Sequence, residues 1–400
     1  MRRLALCVLA VALVSCRDGS REGTYSVRDS SGIQIVSNPA TVRGDSGCVA
    51  VDSVPMVTIG GAGAEGPYDV QRAGSALRLA EGGVVVLNGA TSELRFFDSA
   101  GRYVRTFGRT GSGPGEFQSL AGLLWFGADT LMVADYGTAR ISLVSAAGAL
   151  LGTIGLRGEF GGGLLGRLAD GSLVFSAGRG YSPGAQTGRR RDPVYLLRVS
   201  REGAVLDTLG AFPDWESYVE GDAQRVMVTS APFGRGTYFA LTGGRVFVAD
   251  NAEYRVRVYA DGRRLERIIE RAYEPVALTA AEVNREKAQR VRSTTRPQFL
   301  AQIERMYQRD RLPETLPAYG PVAVAADGWV WISGYSPAED GRVRWNIFDA
   351  AGRLRCALAL PSAFSVREIG HDFLLGVQTD ADELQQVRLY GLRRSAQGPN

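Results

Sequence analysis

One short phrase recurs along the chain and limits what it can fold into: a β-rich apolar run, a tight Asp-x-x-Gly or Asp-Gly turn, and a second run. It reads Leu94-Arg-Phe-Phe-Asp98-Ser-Ala-Gly101, Ile141-Ser-Leu-Val-Ser145-Ala-Ala-Gly148, Val256-Arg-Val-Tyr-Ala-Asp261-Gly262 and Ile347-Phe-Asp349-Ala-Ala-Gly352. A unit this small cannot bury its apolar face alone, so self-similarity of this kind implies stacked repeats that complete one another's core. Each unit opens with another turn and strand, as in Glu81-Gly82-Gly83 before Val84, Asp170-Gly171 before Ser172, and Asp327-Gly328 before Trp329. The 47 residues from Gly101 to Gly148 match the period of a four-stranded propeller blade. Later gaps are longer, as inserted loops require.

Five full units follow, and a sixth is split between the termini. Phe373 to Val377 and Gln386 to Tyr390 supply two strands at one end, and Tyr25 to Val36 carries the Asp29-Ser-Ser-Gly32 turn at the other. Pairing them would close the ring and remove the strand edges an open array leaves exposed. The expected fold is all-β: a six-bladed β-propeller whose N- and C-terminal strands close the last blade. One interruption breaks the pattern before the fifth repeat. Thr279-Ala-Ala-Glu282 is a capping box opening a helix to Val291, and Pro297 starts a second run from Gln298 to about Arg309. In that second run Phe299, Leu300, Ile303 and Met306 fall at helical spacing, which predicts one buried face packed on the propeller.

The first 15 residues read as a secretory signal, with Arg2 and Arg3 ahead of the apolar run Leu4 to Val14. That run is too short to span a bilayer comfortably. The resulting division is a signal peptide at 1–15, a polar tether at 16–23, the propeller at 24–392 with its helical insertion at about 277–312, and a disordered tail at 393–400. Net charge is +4, carried almost wholly by arginine, since Lys287 is the single lysine. The tightest basic run, Arg189-Arg190-Arg191, sits beside Asp192 and Pro193 and reads as a solvated loop, so no nucleic-acid partner is expected. Trp329 and Trp331 alternate along a strand, which places both rings on one sheet face between blades.

Gly61-Ala-Gly63-Ala-Glu-Gly66 matches a dinucleotide fingerprint in letters only, because Pro67 to Gly74 shows no helical period. Its second copy, Gly111-Ser-Gly113-Pro-Gly115-Glu-Phe117, marks both as loops between blades. With the strand Leu131 to Asp135 and then Arg140-Ile141, this loop resembles the NHL-repeat propellers. Val246 to Asp250 followed by Arg255-Val256 repeats the last two parts. Leu13-Val14-Ser15-Cys16 resembles the bacterial lipobox, and together with Val27 to Gly32 and Leu316-Pro-Ala-Tyr319 before Trp329 the chain is similar to bacterial six-bladed propeller lipoproteins. The resemblance implies lipidation of Cys16 and a membrane anchor at the cell envelope, on the outer membrane or the periplasmic face. Asp135, Arg140, Asp250 and Arg255 are expected to tie strands to turns within their own blades, with a ligand-facing role as the alternative.

Cys48 and Cys356 remain once Cys7 is cleaved away and Cys16 is lipidated; they either pair or stay two buried thiols. His371 is the single histidine, which excludes a multi-histidine zinc site, and no G-x-S-x-G supports a serine nucleophile. No catalytic residue, metal ligand or cofactor is assigned, although a calcium site built from scattered carboxylates stays open. The expected function is a monomeric, lipid-anchored scaffold binding an envelope protein or small ligand. The alternative is a lyase or hydrolase acting on a saccharide or lactone through channel carboxylates.

Overall fold

In the computed structural model the described residues are 25–41, 47–127, 129–157, 162–178, 187–221, 224–294 and 297–395. The signal segment, Cys16 and the tether lie outside them. Antiparallel four-stranded sheets follow one another at 73–107, 120–155, 164–213, 237–271 and 322–361, and a sixth is assembled from both termini. The first strand of each blade touches the first strand of the next, and Phe364–Ile369 of blade 6 returns to Ala73–Arg78 of blade 1. The ring is therefore closed. Six apolar layers fill it, one between each neighbouring pair of blades. Trp331, Ile347 and Leu374 are buried between blades 5 and 6, with Trp329 packed beside them on the same face. Ile59, Val84 and Val377 are buried between blades 6 and 1. Each such side chain contributes about 1.5–3 kcal/mol by leaving water.

The closing strand is not the one expected. Val57–Gly60 pairs with the C-terminal strand Gln385–Arg394, register Ile59 opposite Val387, and Val49–Val51 pairs with the far end of the same strand. Tyr25 to Val36 belongs elsewhere. Its hairpin, Ser26–Ser30 and Ile33–Asn38, adds in parallel to Arg264–Arg271, the outermost strand of blade 4. The reason is burial: Val57 and Ile59 alternate into a core layer, whereas every residue of Ser26–Ser30 is exposed. The misleading Asp29 to Gly32 turn is an ordinary two-residue hairpin, with Ser31 at φ 54° and Gly32 at φ 80°. Buried Asn38 fixes the hairpin to two blades: its amide nitrogen donates to Glu270 O at 3.0 Å and Gly352 O at 2.9 Å, and its oxygen accepts from Leu354 N at 2.7 Å. The C-terminal strand also runs past the expected tail boundary, ending at Arg394.

Cys48 and Cys356 form a disulfide, Cα–Cα 5.8 Å, joining the N-terminal closing segment to the outer strand of blade 5. Antiparallel order puts the first-to-second and third-to-fourth strand connections of every blade on one face, and all other connections on the opposite face. The first face carries the repeated turns. In one of them Asp98 Oδ1 accepts from Ala100 N and Arg102 N, both at 2.9 Å, and Gly101 takes φ 75°, where a Cβ would be disfavoured.

Among the described residues the second face carries every large insertion between strands. Helix α1 (Ala280–Arg292) begins at the expected capping box, with Thr279 N donating to Glu282 Oε2 at 2.9 Å. Helix α2 (Leu300–Met306) buries Ile303 and Met306 against Phe233 and Leu316. Phe299 and Leu300 depart from the expected buried stripe and stay 40% and 39% exposed, because a 3-10 turn at Pro297–Phe299 rotates them off the packed face. Beside the helices lies a three-stranded sheet, Gly188–Arg190, Ser217–Gly221 and Val226–Ser230. The arginine run at its first strand, Arg189 to Arg191, is paired, contrary to its reading as a solvated loop. Arg189 meets Glu216 at 2.5 Å, Arg190 meets Asp192 at 2.7 Å and Arg191 meets Asp250 at 2.5 Å.

Candidate functional site

The repeat polar residues stand on the insertion-bearing face, and their roles are those of braces. Asp135 is fully buried and accepts from Gln118 N (2.9 Å), Ser119 N (2.7 Å), Gly137 N (3.0 Å) and Thr138 Oγ1 (2.8 Å). Burial opposes its charge, but these four donors outweigh that cost and hold the carboxyl below its ordinary value. Arg140 cradles the glycine-rich loop through Gly113 O at 3.0 Å and Glu116 O at 2.6 Å. Arg255 pairs with Glu253 and Glu270 inside blade 4. Asp250 does more than expected: besides accepting from Ala252 N in its own turn, it binds Arg191 from blade 3. Blade 1 contains the same device without its sequence signature. Asn88 accepts from Gln71 N, and Arg95 Nη1 donates to Pro67 O and Asp69 O around the first glycine-rich loop.

The same face opens into a cavity of about 1340 Å³ bounded by blades 1, 5 and 6 and by the C-terminal end of α1. Several separate stretches build it. The entry to blade 1 supplies Asp69 and Arg72, α1 supplies Gln289 and Arg292, and blade 5 supplies Tyr335 and buried Trp345. Blade 6 supplies Arg367 from its innermost strand and Asp380, Asp382 and Glu383 from the following loop. Arg72 (φ 53°) and Glu383 (φ 63°) adopt the left-handed backbone that non-glycine residues seldom take, so strain is held at two positions of the wall. The hydroxyl of Tyr335 is pushed up, first by burial and then by the nearby charge of Glu286, and stays a donor at physiological pH.

Arg367 and Glu368 are adjacent on the innermost strand of blade 6. Val366 pairs with Gly376 and Glu368 with Leu375, which makes Arg367 the extra residue of a β-bulge. Burial pulls the Arg367 guanidinium below its ordinary value. Among the described residues nothing pairs with it, nor with the side chains of Arg72 and Arg292. Glu368 accepts from Arg78 N at 2.7 Å and from the Trp125 side chain, yet burial dominates and pushes its carboxyl up to about 7. It can therefore hold or release a proton near neutrality. His371 lies in an exposed turn at the far end of the same strand, on the opposite face. Trp215 is partly exposed and packs edge-on against Tyr238, ring centroids 4.9 Å apart. Among the described residues no group of three or more His, Cys, Asp or Glu is placed to hold a metal ion, and no helix is long and apolar enough to cross a membrane.

Sequence reading missed Asn88, Arg95, Arg367 and Glu368. A strand ending in Asn at the Asp135 position was the one usable signal for the first pair. For Arg367 and Glu368 no periodicity marks a bulge.

Residues 72–125 match a family profile described as a 6-bladed beta-propeller. No curated protein matches the chain. Among solved structures, a Bacteroides fragilis protein described as exported is 13% identical, covering 90% of this chain and 99% of its own at a TM-score of 0.54. A DUF4221 family member from Bacteroides vulgatus is 9% identical over 87% of this chain and 99% of its own, TM-score 0.44. Virginiamycin B lyase from Staphylococcus aureus is 8% identical over 87% and 100%, TM-score 0.42. At 13% identity the likeness to the Bacteroides fragilis protein speaks to fold alone. The sheet order, the closed inner ring and the matched profile agree: the chain is a six-bladed β-propeller.

Proposed function

We propose that the chain is an exported, lipid-anchored binding protein that receives its ligand in the cavity of the insertion-bearing face and acts as a scaffold at the bacterial cell envelope. One observation carries this reading: the helices, the accessory sheet and the cavity all share one side of a stiff closed ring, while among the described residues the strand connections on the other side are tight turns. Binding sites concentrate where long loops are held by a rigid frame. The anchor is supported by the Arg2-Arg3 start, the Leu4 to Val14 run and Cys16 in its lipobox-like setting. The Bacteroides fragilis protein of similar fold is described as exported, which supports the export part of this reading.

A second reading, catalysis in the channel, is favoured by Glu368, whose carboxyl titrates near neutrality. One experiment addresses both. Full-length protein is incubated with envelope extract, re-isolated, and its retained small molecules and peptides are read by mass spectrometry. Ser365, exposed on the innermost strand within the cavity, is replaced by Trp to fill the space. The Ser365→Trp chain should melt as the parent does and lose the retained species. Equal retention by both would overturn the cavity reading. Turnover of a retained species that stops in Glu368→Gln would favour the enzyme. In the same cells Cys16→Ser should move the chain from the membrane to the soluble fraction, and an unchanged partition would overturn the anchor.

A further inference from the structure

Many arginines of this protein pair with carboxylates, while others, among them Arg257, Arg285, Arg305 and Arg309, make no hydrogen bond or ion pair with a side chain among the described residues. Arg78, Arg95, Arg109, Arg189, Arg191, Arg198 and others meet carboxylates at 2.5–3.3 Å. Arg140 donates to backbone carbonyls instead. What sets Arg72, Arg292 and Arg367 apart is that all three line one cavity while making no hydrogen bond or ion pair with any described residue. Arg367 is the most telling. It stands at a bulge on the innermost strand, so it projects where the ladder is interrupted, and it is solvent-exposed within the cavity, free to meet an incoming anion. The neighbouring acid does not neutralise it, because Glu368 is engaged by Arg78 N and Trp125.

The opposite wall narrows the ligand. Asp380 spends one oxygen on Asp382 N and Leu384 N, but Asp382 and Glu383 present side chains without a described partner to the same space. A densely acidic peptide would be repelled by that loop. A sugar acid fits both walls: one carboxylate for each ring, and hydroxyls that donate to carboxylates and accept from an amide such as Gln289. The volume of about 1340 Å³ exceeds the usual ~300–1,000 Å³ of a small-molecule site and suits a short oligomer.

Resting on the cavity reading above, we infer that Arg367 is the specificity residue for the carboxylate of a uronate oligosaccharide, with Arg72 and Arg292 serving further rings at the mouth. Titration calorimetry on the detergent-solubilised full chain tests this with a linear trigalacturonate, the matching neutral galactose trisaccharide and an Asp-Glu hexapeptide. Trigalacturonate should bind at least about tenfold more tightly than either comparator. Arg367→Gln should erase the preference over the neutral sugar with an unchanged melting temperature, and Arg367→Lys should restore part of it. No binding of trigalacturonate, tighter binding of the peptide, or an undiminished preference in Arg367→Gln would overturn the assignment. Equal binding of acidic and neutral sugars that Ser365→Trp abolishes would overturn the anion assignment and leave the cavity reading standing. Trigalacturonate binding that survives Ser365→Trp would place the sugar elsewhere and sink both.

Discussion

Replacing Cys48 and Cys356 together by serine is expected to lower stability by about 6 kcal/mol in the chain-entropy account, since the bond closes a loop of 308 residues and the effect grows with the logarithm of loop length. At roughly 2 °C for each kcal/mol in a chain of this size, the melting temperature should fall by about 12 °C. The bond is placed where it constrains most. Cys48 precedes Val49–Val51 on the closing segment, and Cys356 sits on the outer strand of blade 5, so the link ties one chain terminus to the ring beside the sixth blade. Calorimetry with and without reductant checks the value. The serine chain should be insensitive to reductant, and the parent treated with reductant should melt where the serine chain does.

Asp135→Ala should cost about 3 kcal/mol, because three backbone N–H groups and one hydroxyl lose their shared acceptor in a site closed to water. Asp135→Asn retains one acceptor oxygen and should recover part of this. The pH dependence has a definite sign. The folded-state carboxyl is held below its unfolded value, so its contribution is fully present above the unfolded value of 3.8 and is lost as pH falls through the lower folded value. Denaturant titrations should therefore show parent and Asp135→Asn converging as the medium is taken below about pH 4. A constant gap across that range would show that the charge is not what the site stabilises.

How much was legible follows from what each feature depends on. The blades were readable because a period-2 apolar run and a glycine turn are local, as at Leu94 to Gly101 and Ile347 to Gly352. Helix α1 was readable from Thr279 and Glu282 for the same reason. The ring closure was legible in kind and misassigned in residue: Asp29 to Gly32 imitates the repeat turn, while the true closing strand, Val57–Gly60, is only four residues long and has no such marker. The cysteines could be named as partners but their meeting depends on where blade 5 stands in the ring. Asp135 and Arg140 were found because they recur, whereas Asn88 and Arg95 perform similar work with a changed residue and a shifted position. The cavity was illegible. Arg72, Arg292 and Arg367 are separated by more than one blade in sequence, and only the closed ring brings them to one mouth.

The most direct measurement compares thermal unfolding of two shortened chains. One lacks residues 25–38, the clasp on blade 4; the other lacks residues 25–60 and is judged against the Cys48→Ser, Cys356→Ser chain, so that loss of the disulfide is common to both. The first should still unfold in one sharp transition at a lowered temperature, and the second should lose its sharp transition because blade 6 is left without its fourth strand and the layer beneath Ile59 is opened. A chain lacking 25–60 that melts as sharply, and at the same temperature, as the double-serine chain would contradict closure of the ring by Val57–Gly60.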